Sequence, residues 1–186
     1  MSEDIRQIGI LGGSFDPVHM GHIGLAQETY EKFGLDQILF VPVFQSPHKK
    51  HIPMTTICHR MAMLRLALQN SAHFEISDME VRREEISYTI DTLNRFTLIY
   101  PSSELFLIIG YDNLLELDAW KDSLKIIKSY NILVASRPGI NLISLISCLT
   151  NKSCFKISSR STLSDSISIC TGRFAFVLKV SILSFF

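Results

Sequence analysis

Two histidines three residues apart, His19 and His22, close the stretch GILGGSFDPVHMGH at residues 9–22. Where a chain enters a helix, imidazoles at i and i+3 share one face and can converge on a single ligand. Just upstream stand Gly12, Gly13, Ser14 and Phe15, followed by Asp16-Pro17. Glycines let a backbone approach a bulky anion closely, because no Cβ stands in the way. A helix after such a turn offers unpaired N–H groups and the positive end of its dipole, so phosphate is the favoured ligand. The spacing is neither that of the P-loop nor G-x-G-x-x-G. Imidazoles placed there can donate hydrogen bonds to phosphate oxygens that gain charge during phosphoryl or nucleotidyl transfer, with no protein nucleophile needed. A zinc pair and an ordinary core or surface role are the alternatives. No third Cys, Asp or Glu ligand stands in an obvious position, so no protein-held metal is expected.

The elements that must position this turn read as follows. IGIL (8–11) is a short continuous apolar run, as in a strand buried on both faces. A helix from about Gly21 to Phe33 follows, with Ile23, Ala26, Tyr30 and Phe33 recurring at spacings of three and four. A second buried strand reads at 37–43. Strand, helix and strand in this compass make a right-handed βαβ unit with parallel strands. The alternation continues through a helix at 55–69, with Ile57, Met61, Leu64 and Leu68 on one face, and a short strand at 74–77. Then come a helix at 89–100, a strand at 105–110, a helix at 123–130 and a strand at 131–136. The expected fold is α/β, a Rossmann-like doubly wound parallel sheet, which binds ligands beyond the carboxyl ends of its strands.

The totals narrow the classes. The chain has 186 residues, enough for one domain with a real core. Eighteen basic residues balance eighteen acidic ones, which leaves no electrostatic footprint for nucleic acid. Cys58, Cys148, Cys154 and Cys170 form no C-x-x-C pair, so neither a disulfide framework nor structural zinc is expected, and a reducing cytoplasm fits. The polar start MSEDIRQ shows no secretory signal. The longest apolar stretch, FAFVLKVSILSFF, has thirteen residues and contains Lys179, short of the roughly 20 that a membrane span needs. Residues 140–186 differ in character: they hold eleven serines and a single acid, Asp165. The expected organisation is therefore a domain at 1–139 followed by an atypical Ser-rich segment at 140–186. Oligomeric state is left open, a homo-oligomer included.

GGSFDPVHMGH resembles the signature of the bacterial nicotinate-nucleotide adenylyltransferases, within the wider H-x-G-H nucleotidyltransferases. Four further stretches resemble that family in order: SPHKK (46–50) with Arg60 and Met61 after it, ISYTIDTL (86–93), LIIGYDNLLELDAWKD (107–122) and ASRPG (135–139). The resemblance implies adenylyl transfer from ATP to nicotinic acid mononucleotide, with Mg2+, giving deamido-NAD and pyrophosphate. Carried over, it gives His19 and His22 the catalytic role. ATP would be met by Gly12, Gly13, Ser14, Phe15, Gly110, Asp112 and Arg137, and the mononucleotide by Lys49, Ser87, Tyr88, Thr89 and Trp120. For several of these a structural role is the alternative: a helix cap for Ser87, Thr89 or Asp112, core packing for Trp120, a salt bridge for Arg137, and solvation for Lys49.

The ending departs from the family pattern. Its I-S-S-T-x-I-R element is met by KISSRSTLSD (156–165), where Ser158 and Ser159 fit as ATP contacts. Arg160 stands at the threonine, Thr162 at the isoleucine and Leu163 at the arginine. An altered or out-of-frame terminus is the expectation this raises, with catalysis weakened by the loss of a charge-assisted contact. A sister adenylyltransferase acting on phosphopantetheine, and a nucleotide-binding protein without catalysis, are the alternative functions.

Overall fold

Strand β1 (Arg6–Gly13) buries Ile8, Ile10 and Leu11 and lies parallel to β2 (Gln37–Pro42), with Ile8 opposite Gln37 and Gly13 opposite Pro42. All six residues of β2 are buried, and β3 (Phe74–Ile76) pairs with its other edge, also parallel. Continuous apolar runs such as QILF suit a strand covered on both faces. The computed structural model describes residues 6–47, 53–136, 166–169 and 178–184. These residues fall into two compact units, which divide after Phe106.

In the first unit, α1 (Met20–Phe33) connects β1 to β2, and α2 (Ile57–Leu68) precedes β3. The short α3 (Met79–Arg83) and then α4 (Thr89–Ile99) lead into β4 (Ser103–Gly110), whose first half belongs here. Helix α1 buries Leu25, Ala26 and Thr29, while Ile23, Tyr30 and Phe33 are half-buried, so its inward stripe is turned from the one the spacing predicts. Thr29 is tolerated inside because its hydroxyl donates to the carbonyl of Leu25 at 2.8 Å. In α2 the expected Met61, Leu64 and Leu68 are buried, and Arg60 joins them. Asp36 ties the start of β2 to β1, its carboxylate accepting from the Gln7 N–H at 2.7 Å.

The second unit continues from β4 through α5 (Tyr111–Leu115), a 3-10 turn at Leu117–Ala119 and α6 (Ser123–Ser129) to β5 (Asn131–Ser136). Ile132, Leu133, Val134 and Ala135 of β5 are buried. Two strands of the Ser-rich segment are formed, β6 (Ser166–Ile169) and β7 (Leu178–Ser184). Strand β7 pairs parallel with β5, Leu133 opposite Ser181, and β6 pairs antiparallel with β7. The sequence reading does not single out these strands: β6 is only four residues long, and β7 lies in an apolar stretch that shows no clean alternation. The expected boundary at Gly139 lies outside the described residues.

Two glycines in and after α1 separate backbone from packing effects. Gly34 ends the helix in the left-handed region, at φ 61° and ψ 38°, whereas Gly24 lies inside it; a Cβ on either would meet nothing within 4 Å. Gly34→Ala is expected to destabilise the chain by about 1 kcal/mol through backbone strain alone. Gly24→Ala is expected to stabilise it by up to about 1 kcal/mol. Urea unfolding of both variants checks the opposite signs.

Candidate active site at the mouth of β1

The turn after β1 is held by packed aromatic rings. Phe15 is 1% exposed and adopts a left-handed backbone, φ 47°. Its ring lies 5.7 Å from that of Phe40 in β2 and meets His22 edge-on at 5.0 Å. A Cβ on Gly13 would come within 3.2 Å of the Phe15 ring, so that glycine is needed for the ring to seat. Gly12 is different: a Cβ there would meet nothing within 4 Å, and the residue is exposed. The space beside Gly12 is where a phosphate can approach the main chain.

His19 is the N-cap of α1, in extended conformation, and His22 is the third residue of the helix. Their ring centroids are 3.8 Å apart, so the pair expected from spacing does converge. The His19 N–H donates to Nδ1 of His22 at 3.3 Å. Nδ1 is thus an acceptor, and in the neutral ring the proton sits on Nε2, which becomes a donor. Burial, and secondarily the neighbouring His19, push the His22 pKa down to about 4, so the ring is neutral at pH 7. No acidic residue lies in the first turn of α1, so no side-chain carboxylate there competes with an anion for the positive end of the helix.

Gly21, between the histidines, has a role that spacing alone did not reveal. A Cβ on it would lie 3.0 Å from Nδ1 and 3.1 Å from Cε1 of His19, so the imidazole rests against the bare glycine.

Ser14 is fixed by a residue outside the candidate set. Arg60 is 1% exposed, and its Nη1 donates to the carbonyls of Ser14 at 2.7 Å and Val43 at 2.9 Å. Its Nε donates to the carbonyl of Thr55 at 3.0 Å, and the Asp16 carboxylate accepts from the Thr55 N–H at 2.7 Å. Burial lowers the Arg60 pKa from its usual value, and nearby Asp16 opposes this. The sequence does carry a signal. Residues 60, 64 and 68 share one helical stripe, and an arginine on an apolar stripe must find acceptors inside.

The segment 86–89 is also anchored from within. Ser87 is buried, and its Oγ accepts from the Phe44 N–H at 3.1 Å while its own N–H donates to the Gln45 carbonyl at 2.9 Å. Buried Glu80 takes the Thr92 hydroxyl as donor. Burial raises the Glu80 pKa, and the Ser87 and Thr92 hydroxyls and Arg83 work against that rise. Tyr88 rather than Ser87 or Thr89 is the N-cap of α4, without a side-chain cap bond, so the capping alternative for those two is not seen. Tyr88 and Thr89 are half-buried at the head of that helix.

In the second unit, Gly110 ends β4 and is the N-cap of α5, and Asp112 is exposed in the first turn of α5. The carboxyl-end placement expected of Asp112 is therefore found, and the cap position belongs to Gly110. Trp120 is half-buried and follows the 3-10 turn, its N–H donating to Leu117. Lys49, Arg137, Ser158 and Ser159 lie outside the described residues.

Two outcomes follow from the ring geometry. His22 is expected to titrate near pH 4, against 6.5 when unfolded. The unfolded chain then takes up the proton first, so this group lowers stability progressively from pH 6.5 toward 4 and changes nothing above that window. NMR of the imidazole nitrogens measures the midpoint, and a midpoint near 6.5 contradicts it. Gly21→Ala is expected to displace the His19 ring while leaving the melting temperature unchanged or slightly raised, since alanine favours helix. A variant in which the His19–His22 ring contact persists by NMR would count against this.

The chain can now be set beside known proteins. The cytidylyltransferase-like family matches residues 10–162. Proteins bearing the name "Probable nicotinate-nucleotide adenylyltransferase" are among its relatives. That of Pelobacter propionicus is 42% identical over 72% of this chain and 62% of its own length. That of Carboxydothermus hydrogenoformans is 42% identical over 73% of this chain and 67% of its own. The chain thus spans about two thirds of the length of these relatives. Among solved structures, Plasmodium falciparum nicotinic acid mononucleotide adenylyltransferase complexed with NaAD superposes with a TM-score of 0.68 at 21% identity. That match covers 77% of this chain and 71% of that one, and it bears out the doubly wound α/β nucleotidyltransferase fold. With its H-x-G-H turn in place and these relatives beside it, the chain belongs to the cytidylyltransferase-like family, in the branch of the nicotinate-nucleotide adenylyltransferases.

Proposed function

We propose that the protein transfers the adenylyl group of MgATP to nicotinic acid mononucleotide, giving deamido-NAD and pyrophosphate, in the cytoplasm. The observation that carries this reading is the His19–His22 pair, ring to ring at the N-terminus of α1 beside an open Gly12. In the reaction, a phosphate oxygen of the mononucleotide forms a bond to the α-phosphorus of ATP. The bond from that phosphorus to the bridging oxygen breaks, and pyrophosphate leaves with the electron pair. Charge grows on the phosphate oxygens in between, and donors fixed beforehand stabilise it without reorganising. His22 Nε2 is such a donor, and His19 is the second. Gly12, Gly13, Ser14 and Phe15 offer the main chain.

Magnesium is written here as part of the ATP substrate. Among the described residues no group of three or more His, Cys, Asp or Glu is arranged to hold a metal. Such an ion keeps several waters and binds mainly to phosphates with one or two carboxylates. Asp112 is the carboxylate proposed to meet it or the ribose. Tyr88, Thr89 and Trp120 are proposed to meet the pyridine carboxylate and ring, with Ser87 holding their segment in place through Phe44. Lys49, Arg137, Ser158 and Ser159 keep their proposed phosphate and nucleotide contacts. Residues 140–186 are proposed as an atypical addition to the domain at 1–139. Among the described residues no helix is long and apolar enough to cross a membrane.

Purified protein is assayed for pyrophosphate release with MgATP and, separately, nicotinic acid mononucleotide, nicotinamide mononucleotide and phosphopantetheine. The acid mononucleotide is expected to be preferred. His19→Ala is expected to lower kcat at least about a hundred-fold, the loss typical of removing one transition-state donor, with little change in Tm. Near-normal turnover of that variant, or preference for phosphopantetheine, overturns the reading. Restoring the family ending with Arg160→Thr, Thr162→Ile and Leu163→Arg is expected to raise kcat.

A further inference from the structure

The charge of Arg60 is disproportionate to an ordinary packing role. A guanidinium taken out of water costs several kcal/mol unless its donors are met, and an apolar residue of similar volume often fills such a place as well or better. Leu64 and Leu68, on the same stripe of α2, show what packing alone asks for. What Arg60 adds is a rigid fork of donors, and three separate segments receive it. Ser14 is in the turn after β1, Val43 follows the end of β2, and Thr55 precedes α2.

The bond to Ser14 has a further geometrical effect. A trans peptide is planar, so its C=O and the following N–H point in opposite directions. With the Ser14 carbonyl drawn inward to Arg60 at 2.7 Å, the Phe15 N–H is turned away from the guanidinium. The left-handed backbone at Phe15 is uncommon for an aromatic residue and persists only when its surroundings over-determine it. The seat of the Phe15 ring, over Gly13 and edge-on to His22, supplies one restraint and the Arg60 bond the other.

We propose that Arg60 is a positioning residue for the phosphate-binding turn. From beneath, its guanidinium fixes the Ser14–Phe15 peptide, and with it the donor direction of the loop and the seat of the Phe15 ring against His22. The inference rests on the reading of Gly12–Phe15 and the histidines as an ATP site. Arg60 itself touches neither nucleotide nor the reacting phosphorus. Lysine is not an equivalent, because a single ammonium lacks the planar fork that reaches three carbonyls.

ATP affinity is measured by calorimetry, and kcat and KM by pyrophosphate release, for the parent, Arg60→Lys and Arg60→Ala. Each is assayed at a temperature where circular dichroism shows it folded. Both variants are expected to bind ATP at least about tenfold more weakly and to lose kcat/KM for ATP by about a hundred-fold, the scale of a small misplacement of positioning groups. Arg60→Ala is expected to regain several-fold activity in millimolar guanidinium chloride but not in ammonium chloride at equal ionic strength. Folded variants that bind ATP as tightly as the parent overturn the proposal. So does a loss of activity in folded Arg60→Ala that guanidinium leaves untouched; if that variant does not fold, the ATP affinity of Arg60→Lys decides. A parent that binds ATP but makes no dinucleotide overturns the proposed function instead, and the calorimetric comparison still decides the role of Arg60.

Discussion

A neutral imidazole has one proton to place, and the bond from the His19 N–H to Nδ1 of His22 decides where it goes. Much of the first unit serves that bond. The N-cap conformation of His19 points its N–H back over the first turn, and the helix spacing brings Nδ1 to it. The Phe15 edge closes one side of the His22 ring, and half-burial keeps the ring uncharged at neutral pH. The parallel pairing of β1 with β2 then delivers the turn to the carboxyl end of the sheet, with Gly13 opposite Pro42.

Beneath this turn lies a polar floor. Arg60, Asp16, Thr55 and Val43 form a short network of main-chain acceptors and charged groups, and Ser87 with Phe44, the residue after Val43, forms another. Such networks specify a geometry only when every member is satisfied. Both run through the residues that follow β2. One strand end therefore anchors the glycine turn and the Ser87–Thr89 segment together.

What could be read from the sequence was governed by period and by local chemistry. The runs IGIL and QILF announced buried parallel strands, and the His spacing announced a convergent pair. Helix α2 showed its stripe through Met61, Leu64 and Leu68. Its buried arginine is in plain view, but an isolated charge on an apolar stripe names no acceptors, and two of the three lie 17 and 46 residues away. Helix α3 and the 3-10 turn are too short for a period to emerge. Ser87 was read as a ligand group or a cap because hydroxyls commonly are. Its observed partner, the Phe44 N–H, is 43 residues away, beyond the reach of local rules. The strands β6 and β7 carry no local signal strong enough to announce them, and only the pairing of β7 with β5 and of β6 with β7 reveals them.

The uncharged state of His22 bears on how a turnover ends. In the proposed reaction, pyrophosphate would have to leave before the next triphosphate could enter, and fixed full cations would hold such a polyanion tightly. Oriented dipoles, such as a neutral N–H and the N-terminal end of α1, would hold it only while the geometry matches. In the proposed reaction, the donors of this turn would favour the crowded phosphorus at its most charged moment and then loosen their grip on the leaving product. Product clearance would in that way be built into the protonation state of a single ring.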